Sequence, residues 1–193
     1  MTLNFAVIYG SVRQARKGIR VAKFIMNQLA KTAHQATLID PMEYPLPLLD
    51  KMYMEYDAGQ APENMEKVAR IIEAADALII VSAEYNHGVP APLKNLLDHF
   101  QKEYLYKPSG IVTYSAGIFG GTRVGVHLRE LMGEYGAASI PRMVPMPSIN
   151  KNFDEEGNTD NERLHKSFNN FFKELVWYAE ALKQKRKEGV PEF

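Results

Sequence analysis

Apolar and polar positions along the chain follow two rhythms. Short, β-branched runs that are apolar throughout alternate with longer stretches in which apolar residues recur every three or four positions. "NFAVIYG" (4–10) predicts a first strand, and 19–33 a helix with Val21, Ala22, Ile25, Met26 and Leu29 on one face. "ATLID" (36–40) predicts a second strand, and the stretch from about Pro62 to Ala75 a second helix. "DALIIVS" (76–82) is continuously apolar, as in a strand buried on both faces of a parallel sheet. The helix predicted over 90–102 sets Leu93, Leu96, Leu97 and Phe100 at i, i+3, i+4 and i+7. A strand over 109–117, a helix over 121–135 and a last strand over 137–146 follow; Pro141 and Pro145 suit a sheet edge. From about Asn161 to Lys187 runs a long helix striped by Phe168, Phe171, Phe172, Leu175, Val176, Ala179 and Leu182.

Strands that alternate with helices predict an α/β fold, a doubly wound five-stranded parallel sheet with helices on both faces. No repeat or linker divides the chain, so residues 1–193 are expected to form one domain, with a charged tail from about 184 to 193 that frays. The segment 41–61 is a long loop containing Met42, Tyr44, Met52, Tyr53, Met54 and Tyr56. Long loops in compact domains shape pockets or subunit contacts; plain packing is the expectation for most of these side chains.

Composition narrows the chemistry. Hydrophobic residues make up 46%, charged residues 24%, and the formal net charge is zero. That balance argues against nucleic acid or a membrane surface as partner. No apolar run is long enough to span a membrane, and the cytoplasm is the expected location. The chain has no cysteine, which removes disulfides, thiolate nucleophiles and iron–sulfur ligation, so any redox chemistry must belong to a bound cofactor. Five histidines form no ligand-like cluster, so no metal site is expected, and His127 with Glu130 reads as an exposed pair. Ser11 and Ser115 lack a nucleophile elbow, which weakens a hydrolase reading.

In an open parallel sheet, ligands bind beyond the carboxyl ends of the strands. Three strand-to-helix loops are informative there. In "GSVRQARKGIR" (10–20), Gly10, Ser11 and Gly18 permit tight turning and Arg13, Arg16 and Lys17 bring charge to a helix start, a phosphate site in outline. It matches neither the P-loop nor the dinucleotide fingerprint. In "AEYNHGVP" (83–90), Tyr85 is suited to lie against a planar ring, Asn86 to bond its polar edge, and Pro90 to start a helix. In "YSAGIFGGTR" (114–123), Gly117, Gly120 and Gly121 let the backbone approach a ligand, and Ser115 offers a hydroxyl.

At these loops the sequence resembles the NADPH-dependent FMN reductase family of flavodoxin-like quinone, azo-dye and chromate reductases. The motifs are "GSVRQARKG", "AEYNHGVPAPLKNLLD" and "SAGIFGG", and the likeness runs over about residues 4 to 182. The resemblance implies the strand order 2-1-3-4-5, bound FMN, and NADPH or NADH as reductant. It implies that Ser11, Arg13, Arg16, Lys17, Gly18 and Ile19 hold the FMN phosphate. Ala83, Glu84, Tyr85 and Asn86, with Ser115, Ala116 and Gly117, would flank the isoalloxazine and ribityl chain, and Gly120 and Gly121 would lie nearby. Arg16 stands where many members have Ser, and Ser82-Ala83 where Thr-Pro is frequent. In relatives the helix over 90–102 often packs in a dimer, which leaves Leu93, Leu97 and Phe100 open to an interface as well as a core; a homodimer or homotetramer is expected. The function implied is passage of reducing equivalents through FMN to a small-molecule acceptor, a quinone, flavin, azo compound or metal oxyanion. No catalytic side chain need be named, because the organic chemistry is the cofactor's. A flavodoxin-type electron carrier is the alternative, and zero net charge argues against it, since carriers dock through strong charge.

Overall fold

A computed structural model describes residues 1–191. The apolar runs form β1 (Asn4–Tyr9), β2 (Gln35–Ile39), β3 (Ala77–Ala83), β4 (Ser109–Tyr114) and β5 (Ser139–Met146). The periodic stretches form α1 (Ile19–Leu29), α2 (Glu63–Ala74), α3 (Ala91–Asp98), α4 (Thr122–Glu134), a single turn α5 (Ile149–Asn152), and α6 (Glu162–Lys187). The sheet order is β2-β1-β3-β4-β5 and every pairing is parallel, the flavodoxin-like arrangement expected. Val7 lies opposite Ile79, and Val81 opposite Val112.

Each central strand divides its side chains between two cores, because successive residues point to opposite faces. Phe5, Val7 and Tyr9 pack with α1 and α6, whereas Ala6 and Ile8 pack with α2 and α3. Both halves of the alternation are therefore apolar, and β3 is buried at all of its positions. Pro141 and Pro145 fall on β5, an edge strand, where a missing ladder donor is harmless.

Several boundaries differ from the pattern. The first helix stops at Leu29, where Thr32 Oγ1 donates to the Leu29 carbonyl at 2.7 Å. The third stops at Asp98, because Tyr104 Oη donates to the Leu97 carbonyl at 3.2 Å and the chain turns into a 3-10 segment at Lys102–Tyr104. The fourth strand ends at Tyr114, since Ser115 Oγ bonds the Gly117 carbonyl and curls the backbone. Tyr53–Glu55 is a further 3-10 turn within the long loop. Leu93, Leu97 and Phe100 are 0–1% exposed inside the chain's own core, so they are not interface side chains. Residues 184–187 do not fray: α6 continues to Lys187, and Arg186 donates to the Tyr106 carbonyl at 2.8 Å. Glu192 and Phe193, the end of that expected tail, lie outside the described residues. Among the described residues no helix is long and apolar enough to cross a membrane.

Candidate functional site

At the carboxyl ends of β1, β3 and β4 lies a cleft of about 280 Å³. The loop after β1 contributes Ser11, Arg13, Arg16, Lys17 and Gly18, the loop after β3 contributes Ala83, Glu84 and Tyr85, and the loop after β4 contributes Ser115 and Ala116. Sequence residues far apart thus meet because parallel strands deliver their loops to one edge. Ile19, Asn86, Gly117, Gly120 and Gly121 stand outside the lining.

The first loop carries the charge. Arg13 and Lys17 are exposed and, among the described residues, neither has a carboxylate within 4.0 Å. Arg16 differs. Its guanidinium is paired with Asp40 at the end of β2, donates to the Ser11 carbonyl at 3.1 Å, and lies 5.5 Å over the Tyr9 ring. The hydrogen bond to Asp40 raises the Arg16 pKa further, so it stays charged and spent on its own fold. Gly18 is helical rather than turned, at φ −63°. Its lack of a side chain serves close approach instead: a Cβ there would sit 2.1 Å from the Tyr114 ring.

The second loop answers why an aromatic ring, an amide and an imidazole interrupt a strand–helix connection. Tyr85 N–H donates to the Gly88 carbonyl at 3.1 Å, and Gly88 N–H returns to the Tyr85 carbonyl at 2.9 Å. This two-residue turn holds Asn86 at φ 50° and His87 at φ 67°, both in the left-handed region. Asn tolerates that conformation and His does so less well, so the turn is strained at the mouth of the cleft. Tyr85 is thereby aimed back over the first loop, where its hydroxyl shares a 2.8 Å hydrogen bond with Ser11 Oγ. Glu84 turns the other way. Its carboxylate accepts from the backbone N–H groups of Arg123 (3.0 Å) and Val124 (3.1 Å) and caps α4.

The third loop is set by backbone. Gly120 and Gly121 take φ of 62° and 77°, and Gly121 opens α4. They serve the turn rather than ligand approach, while a Cβ at Gly117 would meet only Ser115 Oγ, at 3.9 Å. Ser148 N–H donates to the Gly117 carbonyl at 2.9 Å and folds the segment after β5 over this loop, so Ile149 and Asn150 line the cleft. The pattern gave no sign of them beyond the breaker pair Pro147-Ser148. Tyr114 also lines the cleft; the pattern sets it within the strand over 109–117 and at the head of the loop 114–123, with no ligand role of its own. Its ring stacks on Tyr9, centroids 6.1 Å apart and planes within 14°. Burial raises the pKa of both phenols, so both remain protonated donors at neutral pH.

A larger polar cleft of about 460 Å³ lies along 151–161, off the sheet edge. Its loop is a strap for α1: Arg20, Lys23 and Asn27 donate to the carbonyls of Phe153, Glu155 and Glu156. Of these two clefts the one at the strand ends is the better ligand site, because it joins cations with no carboxylate partner among the described residues to hydroxyls and small residues. A flat molecule bearing a terminal phosphate fits that donor set: positive charge and a helix start from the first loop, the small residues Ala83 and Ala116 from the others, and Tyr85 beside the first loop.

Comparison with known proteins agrees with this chemistry. The sequence profile of the family described as NADPH-dependent FMN reductase matches residues 3–151. An NADPH azoreductase from Bacillus sp. (strain OY1-2) is 25% identical over 187 residues, covering 96% of this chain and 98% of the relative. A quinone reductase from Escherichia coli (strain K12) is 30% identical over 134 residues, covering 67% of this chain and 69% of the relative. In fold, the chain is similar to the flavoenzyme NAD(P)H:(acceptor) oxidoreductase FerB of Paracoccus denitrificans, with a TM-score of 0.73 at 20% identity, covering 95% of this chain and 98% of that one.

Proposed function

Because the chain belongs to the NADPH-dependent FMN reductase family, we propose that this FMN-dependent NAD(P)H oxidoreductase delivers reducing equivalents to a quinone or azo compound. The observation that carries the reading is the convergence of three loops on one cleft whose Arg13 and Lys17 have no carboxylate partner among the described residues. Bound FMN would supply the hydride chemistry, accepting from the nicotinamide and giving to the acceptor.

The chain's own part is to bind and orient. Ser11, Arg13, Lys17 and Gly18 would hold the phosphate at the start of α1, where backbone dipoles favour an anion. Ala83, Tyr85, Ser115 and Ala116 would flank the rest of the cofactor, with Asn86 at the rim. Glu84 and the Gly120-Gly121 pair act through the fold, by fixing the start of α4. Arg16 keeps the first loop anchored to β2. We place the protein in the cytoplasm as a homo-oligomer, dimer or tetramer. The exposed apolar side chains Met42, Leu48 and Met54 of the long loop support a subunit contact there, rather than one through the buried face of α3.

Direct reduction separates this enzyme from a carrier protein. Anaerobic NADPH or NADH alone is expected to bleach the flavin by two electrons, and a quinone to restore the colour with no protein partner. One cofactor site that serves donor and acceptor by turns gives parallel double-reciprocal lines, the ping-pong pattern. Slow bleaching that an added reductase accelerates many-fold would overturn the reading in favour of a carrier.

A further inference from the structure

We infer that Tyr114, backed by Tyr9, is a further cofactor-positioning residue, whose hydroxyl closes the phosphate end of the cleft in place of Arg16. The inference rests on the FMN reading above and assigns to the floor of the site a task that its loops leave unfinished.

Tyr114 is the last residue of β4 and lines the cleft, yet it is only 5% exposed. Its ring fills the space that a side chain at Gly18 would need; a Cβ there would lie 2.3 Å from the Tyr114 hydroxyl. The phenol is therefore delivered to the first turn of α1, where the positive end of the helix dipole lies. Tyr9, wholly buried at the end of β1, fixes it from behind, with the two hydroxyl oxygens 3.1 Å apart. A pair of phenylalanines would fill the same volume without bringing two polar groups into the core, so the hydroxyls need a purpose.

Donor bookkeeping suggests which. Tyr9, Tyr114, Ser11 and Tyr85 carry four O–H protons, and the two bonds drawn among them, Tyr114 to Tyr9 and Ser11 with Tyr85, use two. The two left over are the Tyr9 proton and one of the Ser11–Tyr85 pair, since Tyr114 is the donor to Tyr9. With a phosphate present, an acceptor only, the Tyr9–Tyr114 bond would reverse, Tyr9 donating to Tyr114 and freeing the Tyr114 proton for the ligand. Arg16 is not available for that end of the ligand. Turning it into the cleft would strip Asp40, 2% exposed, of its cation, and a buried carboxylate left alone is costly.

The test compares FMN with riboflavin, which lacks the phosphate, by flavin-fluorescence titration of the flavin-free full chain. Tyr114→Phe keeps the ring and is expected to weaken FMN about tenfold, the loss of one hydrogen bond to a charged group, while riboflavin affinity stays unchanged. An unchanged FMN-to-riboflavin ratio overturns the inference and leaves the FMN reading intact if the parent still prefers FMN. A parent that takes neither flavin overturns both. Should Tyr114→Phe fail to fold, Tyr9→Phe carries the test: the same ratio is expected to fall, and an unchanged ratio overturns the inference.

Discussion

At the amino-terminal ends of the strands, the cations around Asp76 are spent on the chain itself; at the carboxyl ends, Arg13 and Lys17 have no carboxylate partner among the described residues. Asp76, just before β3, accepts from the Asn4 N–H at 2.9 Å and from Lys183 Nζ at 2.7 Å, and pairs with Arg186 at 3.4 Å. Lys107 beside it donates to the carbonyls of Ile72 and Glu73, closing α2, and burial pulls its pKa down to about 8. That end knits the long C-terminal helix to the sheet. At the other end Arg13 and Lys17 have no carboxylate partner among the described residues, Asn86, His87 and Ser148 hold left-handed backbone, and buried hydroxyls face a cleft. Charge of similar amount does opposite work. Where polar groups satisfy one another they define the fold, and where they do not, they wait for a ligand. Arg16 marks the border: it sits in the cleft wall but is paired as fully as Lys183.

The contrast can be broken from either end. The largest effect is expected at the closed end. Asp76→Ala leaves Lys183, Arg186 and the Asn4 amide without their shared acceptor and should cost about 3 kcal/mol of folding stability by urea unfolding, with FMN affinity unchanged. A loss of flavin binding alongside would show that the two ends are not separable. Arg13→Ala should do the reverse, weakening FMN by about 1.5–3 kcal/mol without shifting the unfolding midpoint. Unchanged flavin affinity with a lowered midpoint would make Arg13 a structural residue. The smallest effect sharpens the comparison, because Glu84 is a paired group at the open end. Glu84→Ala removes the cap of α4 and should cost about 1 kcal/mol of stability, in line with other caps. If Glu84→Ala instead left stability intact and abolished FMN binding, Glu84 would belong with the ligand-facing group.

Much of this was legible in the chain. The continuous apolar run of β3 and the alternation of strands and helices required a parallel sheet with both faces covered. The prolines of β5 required an edge. The loops carrying the cleft were also legible, since glycines, hydroxyls and basic residues cluster at strand ends. Their individual tasks were not. Nothing in the local pattern says that Arg16 turns to Asp40, that Glu84 reaches 39 residues ahead to cap α4, or that Gly18 exists to admit the Tyr114 ring. Ile149 and Asn150 enter the site only because Ser148 bonds the Gly117 carbonyl.

The amino-acid sequence by itself determined the two periodicities, the absence of thiol chemistry and the positions of the ligand-bearing loops, because each depends on residues adjacent in the chain. Tertiary structure alone decided which cations are spent, which glycine makes room for which ring, and which hydroxyls meet beneath the first loop. Those outcomes depend on distances between strands whose order in space is not their order in sequence: β3, not β2, lies between β1 and β4, and so Tyr9 and Tyr114, 105 residues apart, come to share one buried hydrogen bond.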